Sequence, residues 1–149
     1  MIEKIKIKGH LEVIVRDAKT GRILQRNSGE NLICVGMQNA IGQALEGNVD
    51  RHIIKVGIGK GTNPPTFNDT SLTDPVYINT LTVSYAAGTV TVSCTVGSDV
   101  GNGMNISEFG LFGKGAADDV LLARKVYPPI AKTESLVFDL TWRIQILTG

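Results

Sequence analysis

The chain has 149 residues, 42% of them apolar and 19% charged, with a formal net charge of +1. That length and composition fit one globular domain with a real core, and they exclude a chain that is disordered by composition. The mixed charge gives no electrostatic case for nucleic acid or an anionic membrane, and no apolar run approaches the roughly 18 residues of a membrane span.

The first predicted element is a strand over residues 2–16, where Ile5, Ile7, Leu11, Val13 and Val15 share parity. Its charges continue throughout, so it does not read as a signal peptide. Gly9 stands on the apolar side and marks a bulge or kink. Asp17 to Gly21 is turn chemistry, and residues 22–26 return as the second arm of a hairpin. The Asn/Ser/Gly cluster at Asn27 to Gly29 is expected to break that arm. Residues 35–46 form the one predicted helix, with Met37, Ile41 and Leu45 on one face and Ala44 beside them. Gly36 and Gly42 each cost about 1 kcal/mol relative to Ala, so the helix depends on tertiary packing. Gly47 is its predicted C-terminal cap.

Residues 54–58 make a short buried strand. The irregular stretch from Gly59 to Pro75 reads as a long surface loop, functional or ordered by a partner. Residues 76–85 and 89–96 are predicted as a second hairpin around Ala86-Ala87-Gly88. Gly97 to Gly103 is a further connection, followed by strands at 106–112 and 120–126. Pro128-Pro129 punctuates the entry to the last strand.

That strand, Glu134 to Leu147, carries the clearest pattern in the chain. Leu136, Phe138, Leu140, Trp142, Ile144 and Ile146 occupy one face, and Ser135, Val137, Asp139, Thr141, Arg143 and Gln145 the other. One face belongs on a core, the other in water or against a partner. About eight strands, one helix near residues 35–46 and no βαβ alternation predict a mainly β fold. The expected architecture is an antiparallel β-sandwich, jelly-roll-like, in a single domain spanning residues 1–149.

Catalytic and metal-binding chemistry is not apparent. Gly57 to Thr62 lacks the spacing of a phosphate loop and opens a Pro-rich segment instead of a helix. His10 and His52 each stand alone, without the spacing of a metal site. Cys34 and Cys94 read as buried thiols and not as a disulfide or nucleophile. The acidic positions Asp69, Asp74, Asp118 and Asp119 lack calcium-loop spacing. Without a signal peptide, the sequons at Asn68 and Asn105 are discounted. Glu108, in Ser-Glu-Phe-Gly-Leu-Phe, shares parity with Ile106, Gly110 and Phe112 and calls for a cationic partner; Arg124 and Arg143 are the candidates. No catalytic, cofactor or metal residue is assigned.

Several segments together resemble structural proteins of tailed bacteriophages and prophages. They are Ile106 to Phe112 (ISEFGLF), Leu121 to Tyr127 (LLARKVY), Ile130-Ala131-Lys132 and Leu140 to Ile144 (LTWRI). Asn31-Leu32-Ile33, the Gly-containing helix, Ile54 to Gly59 and Asp69 to Leu72 fit the same layout, so the resemblance spans residues 30–146. The hairpin of residues 2–26 lies outside it and is a candidate docking arm.

The resemblance implies a non-enzymatic virion protein, assembled in the host cytoplasm as a tail, collar, baseplate or fibre-associated component. A capsid decoration protein is the near alternative, and a carbohydrate-binding module that recognises a host-surface glycan the more distant one. The implied partners are other virion proteins and further copies of the chain, as a trimer or hexamer. Candidate interface residues are Asp139, Thr141, Arg143 and Gln145 on the polar face of the last strand, with Asn63, Pro64, Pro65 and Phe67 in the long loop.

Overall fold

The computed structural model describes residues 4–148, so the first residues of the predicted N-terminal strand lie outside it. The elements in chain order are β1 (Ile5–Asp17), β2 (Ile23–Ile33), α1 (Val35–Glu46), β3 (Ile53–Gly59), β4 (Val76–Ile78), β5 (Thr82–Ala86), β6 (Thr89–Val96), β7 (Asn105–Gly113), β8 (Val120–Ala131) and β9 (Leu136–Thr148). All strand pairs are antiparallel, in the order β4-β3-β7-β8-β2-β1-β9-β6-β5.

Alternating polarity places the centre of this sheet. The apolar parity of β9 turns Phe138, Leu140, Trp142 and Ile144 inward, all buried. β9 pairs along its whole length with β1, which buries Leu11, Val13 and Val15, and on its other side with β6, which buries Val92, Cys94 and Val96. β1 is therefore an interior strand, with β2 on its second edge. The hairpin forms as expected, but it is built into the sheet and not held out as an arm.

The expected sandwich would need two separate sheets, whereas here one curled sheet forms a half-barrel. β2 makes it continuous. Its residues up to Asn31 pair with β1, and Leu32 and Ile33 then pair with Arg124 and Ala123 of β8. β2 also runs unbroken through Asn27 to Gly29, because the β1 ladder holds those residues in register.

A second departure concerns residues 76–85. This stretch is two strands on opposite edges of the sheet: β4 pairs with β3, and β5 with β6. Only residues 79–81 join them, a reach of roughly 14 Å at most. The sheet must therefore curl until its edges approach each other at that end. β8 likewise continues through Pro128-Pro129. Between the pairs Ile106↔Ile130 and Glu108↔Val126, three β8 residues face one of β7, so the prolines fall in an irregularity where no ladder N–H is required. The same irregularity turns Tyr127 inward. It packs edge-on against Phe109 and donates its hydroxyl to the Leu11 carbonyl at 2.7 Å.

Helix α1 packs on β8. Contact is closest at Gly36, where a Cβ would lie 2.2 Å from the Leu121 carbonyl oxygen. That approach fixes which face is inside: Gly36, Met37 and Ala40 are buried, while Ile41 is half-exposed and Leu45 is 84% exposed. Of the predicted Met37-Ile41-Leu45 stripe only Met37 thus reaches the core, while Ile41 and Leu45 turn away from it. Gly47 caps the helix as expected, in a left-handed conformation with its N–H on the Ala44 carbonyl.

Candidate functional site

Two features stand out, one on each side of the sheet. The first is a clamped loop over the outer face of β7 and β8. Strand β7 is buried on both faces. Ile106, Phe109 and Leu111 join the main core, while Phe112 packs with Leu72, Leu121 and Cys34 under the loop of residues 60–75. The centre of this outer layer is a buried ion pair: Arg124 Nε donates to Glu108 Oε2 at 2.9 Å. Arg124 Nη1 also donates to Asp69 Oδ2 at 3.0 Å and to the Asn63 carbonyl at 3.1 Å.

Glu108 Oε1 accepts the Thr73 backbone N–H, and the Ser107 hydroxyl donates to the Gly61 carbonyl at 2.7 Å. Gly59 and Gly61 let the loop lie directly on the carboxylate, since a Cβ at either would come within 2.5 Å of a Glu108 oxygen. The loop, expected to be functional or ordered by a partner, is thus held by bonds from within the chain. Of the two cations proposed for Glu108, Arg124 is the partner; Arg143 is on β9, in the other half of the sheet.

Asp69 completes the clamp. Burial works against its charged form, but the Thr66 N–H and hydroxyl, both at 2.8 Å, and the Arg124 guanidinium outweigh that and hold the carboxyl below its ordinary value. A depressed folded-state pKa adds stability that is complete above the unfolded value and is lost as pH falls through the folded one. The Thr66 amide, followed by NMR during acidification, is therefore expected to titrate with a midpoint below 3.8, the ordinary value for this carboxyl. A midpoint above it would reverse the assignment.

The second feature is an apolar cleft of about 420 Å³ at the open mouth of the half-barrel. Ile41 and Ala44 of α1 line one wall, Val83 and Tyr85 of β5 another, and Ile144 and Ile146 of β9 the floor. Much of this lining is open to solvent, Tyr85 at 67%, and Leu45, one helical turn beyond Ile41, is 84% exposed. The helix face that turns away from the core forms this rim.

The predicted interface residues fall into two groups that the fold does not bring together. Asp139, Thr141, Arg143 and Gln145 lie on the outer face of β9. There Asp139 accepts from Arg16 Nε at 2.7 Å and from the Thr95 hydroxyl at 3.1 Å, and with Thr141 it lines a shallow hollow of mixed polarity and about 440 Å³. Asn63, Pro64, Pro65 and Phe67 belong to the clamped loop over the other half of the sheet. The Asn63 and Phe67 carbonyls are engaged by Arg124 and by the Val35 N–H, and the Phe67 ring is half-exposed.

Both cysteines are buried. Burial pushes the Cys34 thiol up to about 11, with Asp69 adding to the effect, and the Cys94 thiol up to about 12, so neither is a thiolate at neutral pH.

Lys132, named above only within the Ile130-Ala131-Lys132 segment, has a structural role that the sequence reading did not assign. It is buried at the end of β8, with its ammonium on Asn102 Oδ1 and the Thr133 carbonyl, both at 2.9 Å. Desolvation lowers its pKa while Asp99 raises it. Backbone bonds in both directions, Gly103 N–H to the Lys132 carbonyl and Lys132 N–H to the Met104 carbonyl, make it an anchor for the 97–104 connection. The advance signals were its place in that segment and a lysine ending the apolar strand Val-Tyr-Pro-Pro-Ile-Ala.

Comparison with protein-family models, with curated proteins and with solved structures finds no match to this chain.

Proposed function

We propose that this chain is a non-enzymatic structural protein of a tailed-bacteriophage virion that assembles through oligomeric interfaces. The tail-associated role comes first, with capsid decoration as its near alternative. The observation that carries the reading is the apolar mouth of the half-barrel. Exposed large apolar side chains, Ile41, Val83, Tyr85 and Ile146, line the cleft itself. Contiguous apolar surface of this kind marks a protein contact more often than a free face. The sequence resemblance over residues 30–146 supplies the class of assembly.

In this reading the curled sheet serves as an open, sandwich-like shell in which β2 is the corner strand. The clamped loop and the polar face of β9 are secondary contact surfaces toward other virion proteins. The test is mass spectrometry of density-purified particles from the source culture, beside a light-scattering concentration series on the isolated protein. Enrichment of the chain in particles and a discrete oligomer are expected. Absence from particles overturns the virion reading. The glycan-binding alternative draws on the exposed Tyr85 ring, and a shift in a glycan-array screen by a monomeric protein would favour it instead.

A further inference from the structure

One edge of the sheet is unguarded. Sheet edges are usually protected by charge, proline, bulges or shortness. The β4 edge is protected: it is three residues long and follows Asp74-Pro75. β5 is not. It reads Thr-Val-Ser-Tyr-Ala, pairs with β6 on one side only, and all five residues are exposed. From Pro75 to Ser98 the chain contains no Asp, Glu, Lys or Arg, although 19% of its residues are charged overall. The whole β5–β6 hairpin lies inside that uncharged run.

The turn decides which backbone groups point outward. Ala87 and Gly88 both have positive φ, 48° and 84°, the signature of a two-residue type I′ turn closed by the pair Ala86↔Thr89. That closing pair exchanges hydrogen bonds, and bonded pairs alternate along an antiparallel ladder. Thr82, Ser84 and Ala86 therefore turn their N–H and C=O groups toward β6. Val83 and Tyr85 turn theirs to the open edge.

We propose that β5 pairs with β5 of a second copy, antiparallel about a two-fold axis at Ser84. This deepens the oligomeric building-block reading and rests on it. The edge is self-complementary in this register. Val83 meets Tyr85 of the second copy, so the outward N–H and C=O groups of both residues are satisfied on both sides. The side-chain pairs are β-branched against aromatic, a favourable cross-strand combination. They lie on the concave face, since Val83 and Tyr85 pair with Val92 and Val90 and line the cleft. The second copy's Tyr85 is thereby carried toward the apolar mouth. No like charges meet, because neither edge has any. A five-residue ladder alone falls well short of the roughly 1,200–2,000 Å² of a stable interface, so the apolar rim is part of the contact. A two-fold contact needs an even number of chains, which selects a hexamer over a trimer.

Cysteine at the axis tests this directly. A non-hydrogen-bonded antiparallel pair has Cα atoms about 4.5 Å apart, within disulfide reach. Ser84→Cys in the full chain is expected to form a reducible covalent dimer on mild oxidation. Thr82→Cys, which would face Ala86 of the second copy, is expected not to. Ser84→Lys is expected to reduce the wild-type mass in light scattering while leaving the unfolding midpoint unchanged. An odd-numbered wild-type oligomer, a wild-type monomer, or a folded Ser84→Cys that stays uncrosslinked overturns the proposal. Particle proteomics separates the two claims. A chain found in particles but uncrosslinked at residue 84 loses the edge contact alone, and a chain crosslinked there but absent from particles loses only the virion reading.

Discussion

Replacing Arg124 by Met is expected to destabilise the fold by about 3–5 kcal/mol, measured by urea denaturation. The magnitude follows from what the substitution leaves behind. Glu108 is 1% exposed, and with the guanidinium gone its carboxylate keeps only the Thr73 N–H. The Asn63 carbonyl and Asp69 lose the same donor, so two attachments of the 60–75 loop are lost at once. Limited proteolysis should accordingly cut between Gly61 and Leu72 in the variant and spare the wild type. Arg124→Lys should recover only part of the loss. A single ammonium cannot reproduce the planar fork that sends Nε to Glu108 and Nη1 to Asp69 and Asn63. The double variant Glu108→Leu/Arg124→Met should be closer to wild type in stability, because no fully buried charge is left stranded and the part-exposed Asp69 keeps its two Thr66 donors. A cost below about 1 kcal/mol for Arg124→Met would mean that the clamp does not hold the loop.

Much of this arrangement could be read from residue order, and the limits have physical causes. The inward face of β9 follows from strict alternation, and β1 and β6 show the same period, so the central strands were legible. The need of Glu108 for a cation was legible from burial energetics, and Arg124 stood on the next strand in sequence. Asp69 and Asn63 were not legible, because a loop without periodicity is placed by the groups it meets. The irregularity between Ile106 and Glu108 also defeats a parity argument: Ile106 enters the core with Phe109 and Leu111, while Glu108 turns out with Phe112.

The helix face was misjudged because spacing gives a stripe and not its direction. The close approach at Gly36, a tertiary fact, turns Leu45 outward. The split of residues 76–85 left little trace, since Asn79-Thr80-Leu81 contains neither Gly nor Pro. Contact surfaces were hardest to find. The polar face of β9 drew notice through its alternation, whereas β5 becomes an edge only once the strand order is known.

Trp142→Ala is expected to cost about 3–5 kcal/mol, as large-to-small changes of buried aromatics do. Trp142 is fully buried on β9, paired with Leu11 of β1 on one side and Val92 of β6 on the other, both also fully buried. Truncation would leave a cavity among strands fixed on both edges by long ladders, where backbone collapse is restricted. Trp142→Phe should cost much less. The indole Nε1 is buried without a hydrogen-bond partner, and an unmet buried donor carries a penalty of about 1–3 kcal/mol that a phenyl ring removes. That relief offsets part of the lost volume, so the two variants separate packing from polar dissatisfaction. Circular dichroism in urea can follow both variants, because the substitution removes the only tryptophan and with it the fluorescence signal. If Trp142→Ala unfolds at the wild-type midpoint and only assembly is lost, the even face of β9 belongs to an interface and the centre of the core lies elsewhere.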